Sequence, residues 1–410
     1  MQFSDIINQN EVKHHLTELV LHNRLSHALL FLGKEGSGAL PLALAFAQFV
    51  VCETINGKSK HTAGPSLFDD KSKTHNSKPG TRYDSCGICA SCIKAQQLIH
   101  PDIHFSYPTV TKKPGEKPIA TDFITEWREF IKLSPYGNSF DWIEMIKEKE
   151  TSQGKITAEE CNDIIRKLNL KSFESEYKIL IMWMPEYLGN EGNKLLKLIE
   201  EPPPNTLFIL VAENESLVLP TIVSRCQLIK IPELEIKDIE EALVTHNKTE
   251  PAIARQVAGI SDGNYREALQ FVQHAEEDWQ SLLREWLNAI LKTGPIAQTK
   301  WVEEIGRLGR EKQKQFLRYF NHLLEQAIRF RILIDSSKLV SDESLFNNKE
   351  KDFIERLNKI AGIEQQQAII EELDKASYYI ERNAHGKMLF HALTIKLYHI
   401  IQDKVVFLTD

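Results

Sequence analysis

The 410-residue chain has no hydrophobic run long enough to cross a membrane, which takes about 20 apolar residues. Its longest largely apolar stretch is residues 42–52. Residues 1–5, MQFSD, lack the basic region and the apolar core of a secretory signal peptide. The sequence therefore predicts a cytoplasmic protein.

A basic excess is also missing, since 57 aspartates and glutamates outnumber 50 lysines and arginines. The net charge of −7 argues against a nucleic-acid-binding protein that works alone, because neutralising phosphates requires a basic surface. Six cysteines in a cytosolic chain of this length do not suggest a disulfide framework. With 42% hydrophobic and 26% charged residues the composition is that of a globular protein, and the length predicts two to three domains.

The chain contains the frame of a nucleotide-binding P-loop at residues 33–40. Such a loop lies between a buried strand and the start of a helix, and it has the pattern G-x-x-x-x-G-K-[ST]. Residues 29–32 read as the strand and residues 42–51 as an apolar helix. The glycines of the turn are Gly33, Gly36 and Gly38.

Catalytic side chains are missing at two places, in this frame and at the end of a later strand. Ala39 and Leu40 stand where a lysine would grip the phosphates and a serine or threonine would hold magnesium. In a working ATPase, the strand that ends near Trp183 and Met184 would finish with an acidic residue, and Glu186 comes too late to serve. Because the two positions are lost independently, we expect a partner of an ATPase that does not itself hydrolyse ATP.

Apolar strands alternate with helices up to residue 232, which indicates an α/β domain with a parallel sheet covered by helices on both faces. The predicted elements are a helix at 158–168, a strand at 177–183, a helix at 191–200 ended by three prolines, and a strand at 206–212. Two segments look inserted: polar residues 53–85, predicted to be flexible, and residues 105–155, whose role the sequence does not assign.

After residue 232 the chain is predicted to be helical, with helices at 236–245, 250–258 and 265–275 and a helical region from about 277 onwards. Amphipathic faces in the last region are marked by Phe316, Phe320, Leu323 and Ala327 and by Phe390, Leu393 and Leu397. The predicted division is a first domain at 1–232, a small helical domain at 233–276 and a helical domain at 277–410.

Cys86, Cys89 and Cys92 form the strongest chemical signal. Thiolates at three-residue spacing can surround one ion, and soft sulfur ligands select zinc or an iron–sulfur cluster. Tetrahedral zinc requires a fourth ligand, for which Cys52 is the first choice; the weaker candidates are Cys161 and His100. No general base lies nearby in the sequence, so a structural zinc is predicted rather than a catalytic one.

Two arginines are candidates for contact with phosphate groups. Arg225 follows a turn at residues 220–223 and could reach the ATP of a neighbouring subunit, or form an ion pair within its own chain. Arg266 lies in the first turn of a predicted helix, where an active ATPase would use it to sense the γ-phosphate. Without the P-loop lysine, a structural role is the simpler interpretation of Arg266.

Taken together, these segments resemble the clamp-loader branch of the AAA+ family, and within it the delta-prime subunits of bacterial DNA polymerase III. The matching segments run in family order: residues 24–31 (RLSHALLF), the cysteine cluster, residues 100–102 (HPD), 193–203, 220–226 and 263–269. They extend over residues 1 to about 275, whereas the last third shares only its helical character.

The resemblance implies a RecA-like AAA+ domain with an inserted zinc module, a small helical lid and a helical collar that assembles a ring. It implies that Cys52 is the fourth zinc ligand and that Arg225 is an arginine finger acting in trans. The implied partners are the gamma/tau and delta subunits and, through the complex, the sliding clamp and primed DNA.

Two other functions compete with this reading. The chain could itself be a gamma/tau-like clamp-loader ATPase with a divergent P-loop, which ATP binding would reveal. It could also be a zinc-containing DNA-binding protein, although the acidic balance counts against that function.

Overall fold

The computed structural model describes residues 1–57, 83–111, 115, 117–147, 153–273, 279–335, 348–381 and 384–404. These residues belong to two units, one of Met1–Ala242 with Gly263–Arg266 and one of Leu243–Asp262 with Glu267–Asp410. Most of the predicted flexible segment 53–85 lies outside the described residues. In the described part of the chain, no helix is both long and apolar enough to span a bilayer.

The first unit is built on a five-stranded parallel sheet in the order β2-β3-β4-β1-β5. The strands are β1 (Ala28–Gly33), β2 (Ile103–Ser106), β3 (Lys178–Trp183), β4 (Thr206–Ala212) and β5 (Gln227–Ile231). Every residue of β3 and β4 is buried, as expected for strands covered on both faces. The predicted α/β architecture with a parallel sheet is confirmed.

Helices pack on both faces of this sheet. They are α1 (Asn10–Leu21), α2 (Ala39–Val51), α3 (Ala90–Gln96), α4 (Ile124–Leu133), α5 (Ser139–Ile146), α6 (Ala158–Leu168), α7 (Leu196–Glu200) and α8 (Pro220–Val223). Alternate residues of β1 face opposite sides: Leu29 and Phe31 join a core with α2, and Ala28 and Leu30 join a core with α6. All thirteen residues of α2 are buried, which explains why this helix is apolar on every side.

The predicted insertion at 105–155 starts too early, because Phe105 and Ser106 belong to β2 at the edge of the sheet. An antiparallel bridge pairs Thr109 with Lys155, so the ends of the inserted segment lie side by side. Its helices α4 and α5 carry side chains into the main core. The rings of Trp127 and Trp142 are fully buried, and their centroids lie 5.3 Å apart.

The helix predicted at 191–200 is shorter than expected. Residues Pro185–Leu195 form 3-10 turns interrupted at Gly189, whose φ of 48° and ψ of −140° are not helical, and α7 begins only at Leu196. Glycine favours such a break because it has no Cβ to restrict φ. The helix predicted at 158–168 and the strands predicted at 177–183 and 206–212 lie within one residue of their expected bounds. The helix predicted at 42–51 begins three residues earlier, at Ala39.

Beyond β5 the described chain is helical, as predicted. The helices are α9 (Ile236–Thr245), α10 (Pro251–Ile260), α11 (Tyr265–Gln273), α12 (Trp279–Asn288), α13 (Pro295–Ile305), α14 (Arg310–Asp335), α15 (Asn348–Ile360), α16 (Ile363–Glu381) and α17 (Gly386–Gln402). All residues of the two predicted amphipathic faces are buried. In the second unit, the Trp286 and Trp301 rings stack with centroids 4.6 Å apart.

Candidate functional site

The phosphate-binding loop lies between β1 and α2, where the sequence predicts it. Gly36 and Gly38 have φ angles of 74° and 91°, a conformation that glycine adopts without strain. Ala39 and Leu40, in the first turn of α2, are only 8% and 4% exposed. The positions that would hold phosphate and magnesium are therefore occupied by buried apolar side chains.

Tyr136, from the inserted segment, covers the loop at Gly38. A Cβ atom built on Gly38 would lie 3.0 Å from Cε1 of Tyr136. The hydroxyl of Tyr136 accepts a hydrogen bond from the backbone N–H of Ile7 at 3.0 Å, and burial raises the pKa of this phenol. The neutral ring is thus held beside the N-terminus of α2, the place where a working P-loop receives phosphate.

Asn264 covers the same loop at Gly36. A Cβ atom built on Gly36 would lie 1.9 Å from Oδ1 of Asn264, so only glycine fits here. The backbone N–H of Tyr265 donates to the carbonyl oxygen of Gly36 at 3.4 Å, and the Tyr265 ring meets the Tyr136 ring edge-on. The chain itself therefore fills the space over both glycines.

Glu35 places a negative charge in the loop. Its carboxylate accepts hydrogen bonds from the side-chain amides of Asn138 at 2.9 Å and Asn264 at 3.2 Å, and it pairs with Arg266 at 3.0 Å. Arg266 is buried and also pairs with Asp141 at 2.5 Å. The arginine at the sensor position thus has a structural role, as the simpler interpretation expects, and Glu35 would repel phosphate.

Little space remains over the loop. The cavity lined by the loop, Tyr136 and Trp183 has a volume of about 20 Å³. One water molecule takes about 10–15 Å³ on this measure, so the cavity holds one or two waters.

The end of β3 likewise lacks the acidic group of an ATPase. Trp183 is its last residue, and its ring packs 5.3 Å from that of Trp127. Glu186 lies beyond the strand and accepts hydrogen bonds from the backbone N–H groups of Glu213 and Asn214 at 2.6 and 2.9 Å. Its carboxylate therefore holds the loop after β4. It does not occupy the strand-end position from which an acidic side chain of an ATPase would hold magnesium.

The four cysteines Cys52, Cys86, Cys89 and Cys92 come together at one end of α2. Their sulfur atoms all lie within 4.8 Å of one another, and Cys86 Sγ is 3.9 Å from Cys92 Sγ. A tetrahedral zinc ion with Zn–S bonds of about 2.3 Å separates its sulfurs by roughly 3.8 Å. The arrangement therefore has the dimensions of a four-thiolate metal site.

Backbone N–H groups point at three of these sulfurs. Cys86 N–H donates to Cys52 Sγ, Cys89 N–H to Cys86 Sγ and Cys92 N–H to Cys89 Sγ, each at 3.4 Å. The hydrogen bond between the Cys52 and Cys92 side chains lowers the pKa of Cys52 and raises that of Cys92. The backbone N–H donors favour the thiolate form, which is the form that binds a metal.

The two weaker ligand candidates lie elsewhere. Cys161 is buried in the α6 core, and its thiol donates to the carbonyl oxygen of Glu191 at 3.6 Å. Nδ1 of His100 accepts a hydrogen bond from the backbone N–H of Asp102 at 3.2 Å. Among the described residues, only Cys52 joins the three clustered cysteines.

Arg225 directly follows α8 and Ser224, and its side chain is 32% exposed. Its guanidinium forms an ion pair with Glu200, and its Nη1 donates to the carbonyl oxygen of Thr221 at 2.7 Å. Within this single chain Arg225 therefore makes the intramolecular ion pair that the sequence allowed.

Sequence reasoning missed the residues that close the loop, which are Tyr136, Asn138, Asp141 and Asn264. Pro135 and Gly137 do predict a turn around Tyr136. No spacing rule connects that turn with a glycine about 100 residues earlier in the chain, because the contact depends on how α4 and α5 pack on the sheet.

A family model and several known proteins match this chain. The sequence model of the family described as "DNA polymerase III, delta subunit" matches residues 8–66 and 66–235. DNA polymerase III subunit delta' of Bacillus subtilis is 26% identical over 271 residues, which cover 65% of this chain and 61% of that protein. Subunit delta' of Haemophilus influenzae is 24% identical over 320 residues, covering 77% of this chain and 75% of that protein.

A tau subunit and a solved structure are also similar. DNA polymerase III subunit tau of Bacillus subtilis is 24% identical over 353 residues, which span 83% of this chain and 48% of that protein. A DNA polymerase III gamma subunit-related protein from Thermotoga maritima aligns with a TM-score of 0.36 and 15% identity over 94% of this chain and 98% of that one. The chain thus spans about half to three fifths of the length of the two Bacillus subtilis relatives.

The family model covers more than half of the 410 residues, and two delta' subunits are among the relatives. The resemblance to delta-prime subunits predicted from the sequence is confirmed. The chain belongs to the DNA polymerase III delta subunit family.

Proposed function

We propose that this chain is a non-hydrolysing subunit of a clamp loader that helps to place a sliding clamp on primed DNA. The observation that carries the proposal is the closed loop at residues 33–40. Ala39 and Leu40 offer no charge or oxygen ligand, Tyr136 and Asn264 fill the space over the glycines, and the cavity left is about 20 Å³. A family member whose own loop does not accept ATP would act by supporting other subunits that bind ATP.

Arg225 would act as an arginine finger in the ATP site of a neighbouring gamma/tau motor subunit. Its side chain is partly exposed and is held in place by Glu200 and Thr221, so it is ordered without being buried. A guanidinium can bind the oxygens of the transferred phosphoryl group through two donors at once, as it binds the Glu200 carboxylate here. In the assembled ring the phosphate would take the place of Glu200.

The four-cysteine cluster would hold one structural zinc ion. Four thiolates leave no open position for a substrate, and closed sites of this kind stabilise the fold. The zinc would fasten the segment around residues 83–100 to the end of α2. That segment also carries Asp84, whose carboxylate accepts the backbone N–H groups of Phe3 and Ser4 at 2.9 Å.

The division into an AAA+ domain at 1–232, a lid at 233–276 and a collar at 277–410 is part of the same proposal. It is supported by the change from an α/β region to helices alone after β5. In this arrangement the last region would join the gamma/tau and delta subunits in a ring.

The isolated chain should not bind ATP with micromolar affinity in the presence of magnesium. Equilibrium titration with a fluorescent ATP analogue would measure this, with a gamma/tau subunit as the positive control. A double variant, Ala39→Lys with Leu40→Thr, restores the two missing side chains and should still fail to bind, because Tyr136, Asn264 and Glu35 remain. Micromolar magnesium-dependent binding by the unchanged chain would instead support the alternative of a gamma/tau-like ATPase.

Affinity purification of the full chain from its own cells should recover gamma/tau and delta subunits in constant ratio. The expected partners can be identified by mass spectrometry. A variant with Leu393→Asp in the buried face of α17 serves as a control, because it should disrupt the helical region proposed to form the collar and lose these partners. Recovery of the chain alone, under conditions that keep a known clamp loader intact, would contradict the proposed role.

A further inference from the structure

Helix α17 is apolar on both of its sides. Its inner side packs into the second unit, where Phe390 and Leu397 are fully buried. Its outer side carries Met388, Ile395 and Tyr398, which are 72%, 56% and 40% exposed. A helix that is apolar all round is normally covered all round. The outer side of α17 is therefore a surface that a further element should cover.

The helix α16, which packs beside α17, shows what a solvated outer side looks like in this unit. The exposed residues of its first twelve positions are Glu364, Gln367, Glu371 and Asp374, all of them charged or polar. Single apolar residues are common on protein surfaces, but a continuous apolar strip marks an interaction site. The outer side of α17 is of the second kind.

The exposed residues of α17 follow the spacing of a contact between helices. Met388, His391, Ile395, Tyr398 and Gln402 are all exposed, and the steps between them alternate between three and four residues. With this spacing one helix packs along another, whereas a β-strand has a side-chain period of two. These five residues are called the outer row of α17 below, and the row is about 21 Å long at a rise of about 1.5 Å per residue.

The chemistry of the outer row also limits what can cover it. The row contains no aspartate, glutamate, lysine or arginine. The lysines of α17 are Lys387 and Lys396, and Lys396 is paired with Glu372 of α16 at 2.5 Å. A nucleic-acid backbone would therefore find few cations to bind here. An amphipathic helix with an uncharged apolar side matches the row in both shape and polarity.

We propose that the outer row of α17 packs against an amphipathic helix of a neighbouring clamp-loader subunit. This inference rests on the proposed function and locates on α17 the contact by which the chain would join the ring. In that ring the neighbours are gamma/tau and delta subunits, so the row would meet a helix of another chain and not a second copy of itself.

Ile395→Glu tests the contact through the strength of assembly. Binding of the full chain to purified gamma/tau and delta subunits can be measured by biolayer interferometry. We expect Ile395→Glu to raise the Kd about tenfold or more, because assembly would bury a carboxylate without a partner. Ile332→Glu is the matched control, since Ile332 of α14 is 53% exposed and lies outside the row; it should bind as the unchanged chain does.

Two further measurements separate a lost contact from a lost fold. Both glutamate variants should unfold within about 2 °C of the unchanged chain, since exposed substitutions change stability little. In Ile395→Cys, the new thiol should react with a maleimide in the isolated chain and at least about tenfold more slowly in the complex. In Ile332→Cys the rate should be the same in both. Mass spectrometry locates the adduct among the native cysteines.

The outcomes distinguish this inference from the proposed function. If the unchanged chain assembles and Ile395→Glu assembles equally well, the outer row is not the contact, and the proposed function stands. If the unchanged chain does not bind the other subunits, both are wrong. If the thiol of Ile395→Cys is already protected in the isolated chain, a second copy or another part of this chain covers the row, and the inference is overturned. Sedimentation velocity tells these two occupants apart.

Discussion

Arg225→Ala is expected to lower phosphoryl transfer by about a thousandfold or more at the ATP site that this chain is proposed to complete in a reconstituted clamp loader. An arginine finger contributes a factor of roughly 10³–10⁵ to such reactions, because its charge stabilises the transferring phosphoryl group in the transition state. The measurement is the ATPase rate of the loader with its clamp and primed DNA. The fold should be little affected, since exposed ion pairs contribute only about 0–1 kcal/mol to stability.

Glu200→Ala is the matched control for this experiment. It breaks the same ion pair as Arg225→Ala but keeps the arginine available to a neighbouring subunit. If Arg225 acts in trans, Glu200→Ala retains the ATPase rate and Arg225→Ala does not. If the pair matters only for the structure of this chain, the two variants behave alike, and the proposed finger is wrong.

Arg225→Lys adds a second discrimination. Lysine keeps the positive charge but presents a single ammonium group in place of the planar guanidinium with its paired donors. A role through charge alone predicts a rate near that of the unchanged chain. The proposed two-donor contact predicts a rate much nearer to that of Arg225→Ala.

Much of the fold of the first unit could be predicted from local sequence patterns. The buried strands β1, β3 and β4 are continuous apolar runs, and the helices α6 and α9 have clear amphipathic periods. The edge strand β2 was not recognised because its four residues, IHFS, are too few and too mixed to show a period. The start of α7 at Leu196 was missed because residues 191–195 continue the helical pattern of the sequence but form 3-10 turns.

The candidate site was predictable only where chemistry is local in sequence. The loss of the lysine at Ala39 and the grouping of Cys86, Cys89 and Cys92 can be read directly from the chain. The closure of the loop could not be predicted, because Tyr136 and Asn264 reach Gly38 and Gly36 only after the inserted helices and the segment before α11 have packed on the sheet. The proposed loss of nucleotide binding thus has two separate supports, the missing side chains and the occupied space over the glycines.

Cys92→Ser is expected to reduce bound zinc well below one equivalent and to destabilise the first unit by roughly 3 kcal/mol, or about 6–12 °C in Tm. Structural zinc contributes its binding free energy to folding, and that energy is about 10–16 kcal/mol in small zinc-finger peptides. Only part of it should appear here, because α2 is already buried along its whole length by the sheet. Elemental analysis and thermal unfolding of the purified full chain would measure both quantities.

The effect should extend beyond the cysteines to the N-terminus. Asp84 accepts hydrogen bonds from Phe3 and Ser4, and the Gln2 side chain donates to the carbonyl oxygen of Ser85 at 2.6 Å. Without zinc the segment that carries Asp84 and Ser85 would lose its metal link to α2. It would keep the hydrogen bond that the Gln48 side chain of α2 donates to Ser85 Oγ at 2.9 Å, so the contacts of residues 2–4 should weaken. Hydrogen exchange at the backbone amides of Phe3 and Ser4 should therefore become faster in Cys92→Ser.

Cys161→Ser is the control, since its thiol is buried but lies outside the cluster. This variant should keep a full equivalent of zinc and slow hydrogen exchange at the backbone amides of Phe3 and Ser4. Both should hold even if the substitution lowers stability at α6. Equal zinc content in the two variants, or an unchanged chain that binds less than half an equivalent, would show that the four thiols do not form the proposed site. If zinc and the protection of the Phe3 and Ser4 amides are lost only in Cys92→Ser, the metal stabilises the contacts of the N-terminal residues.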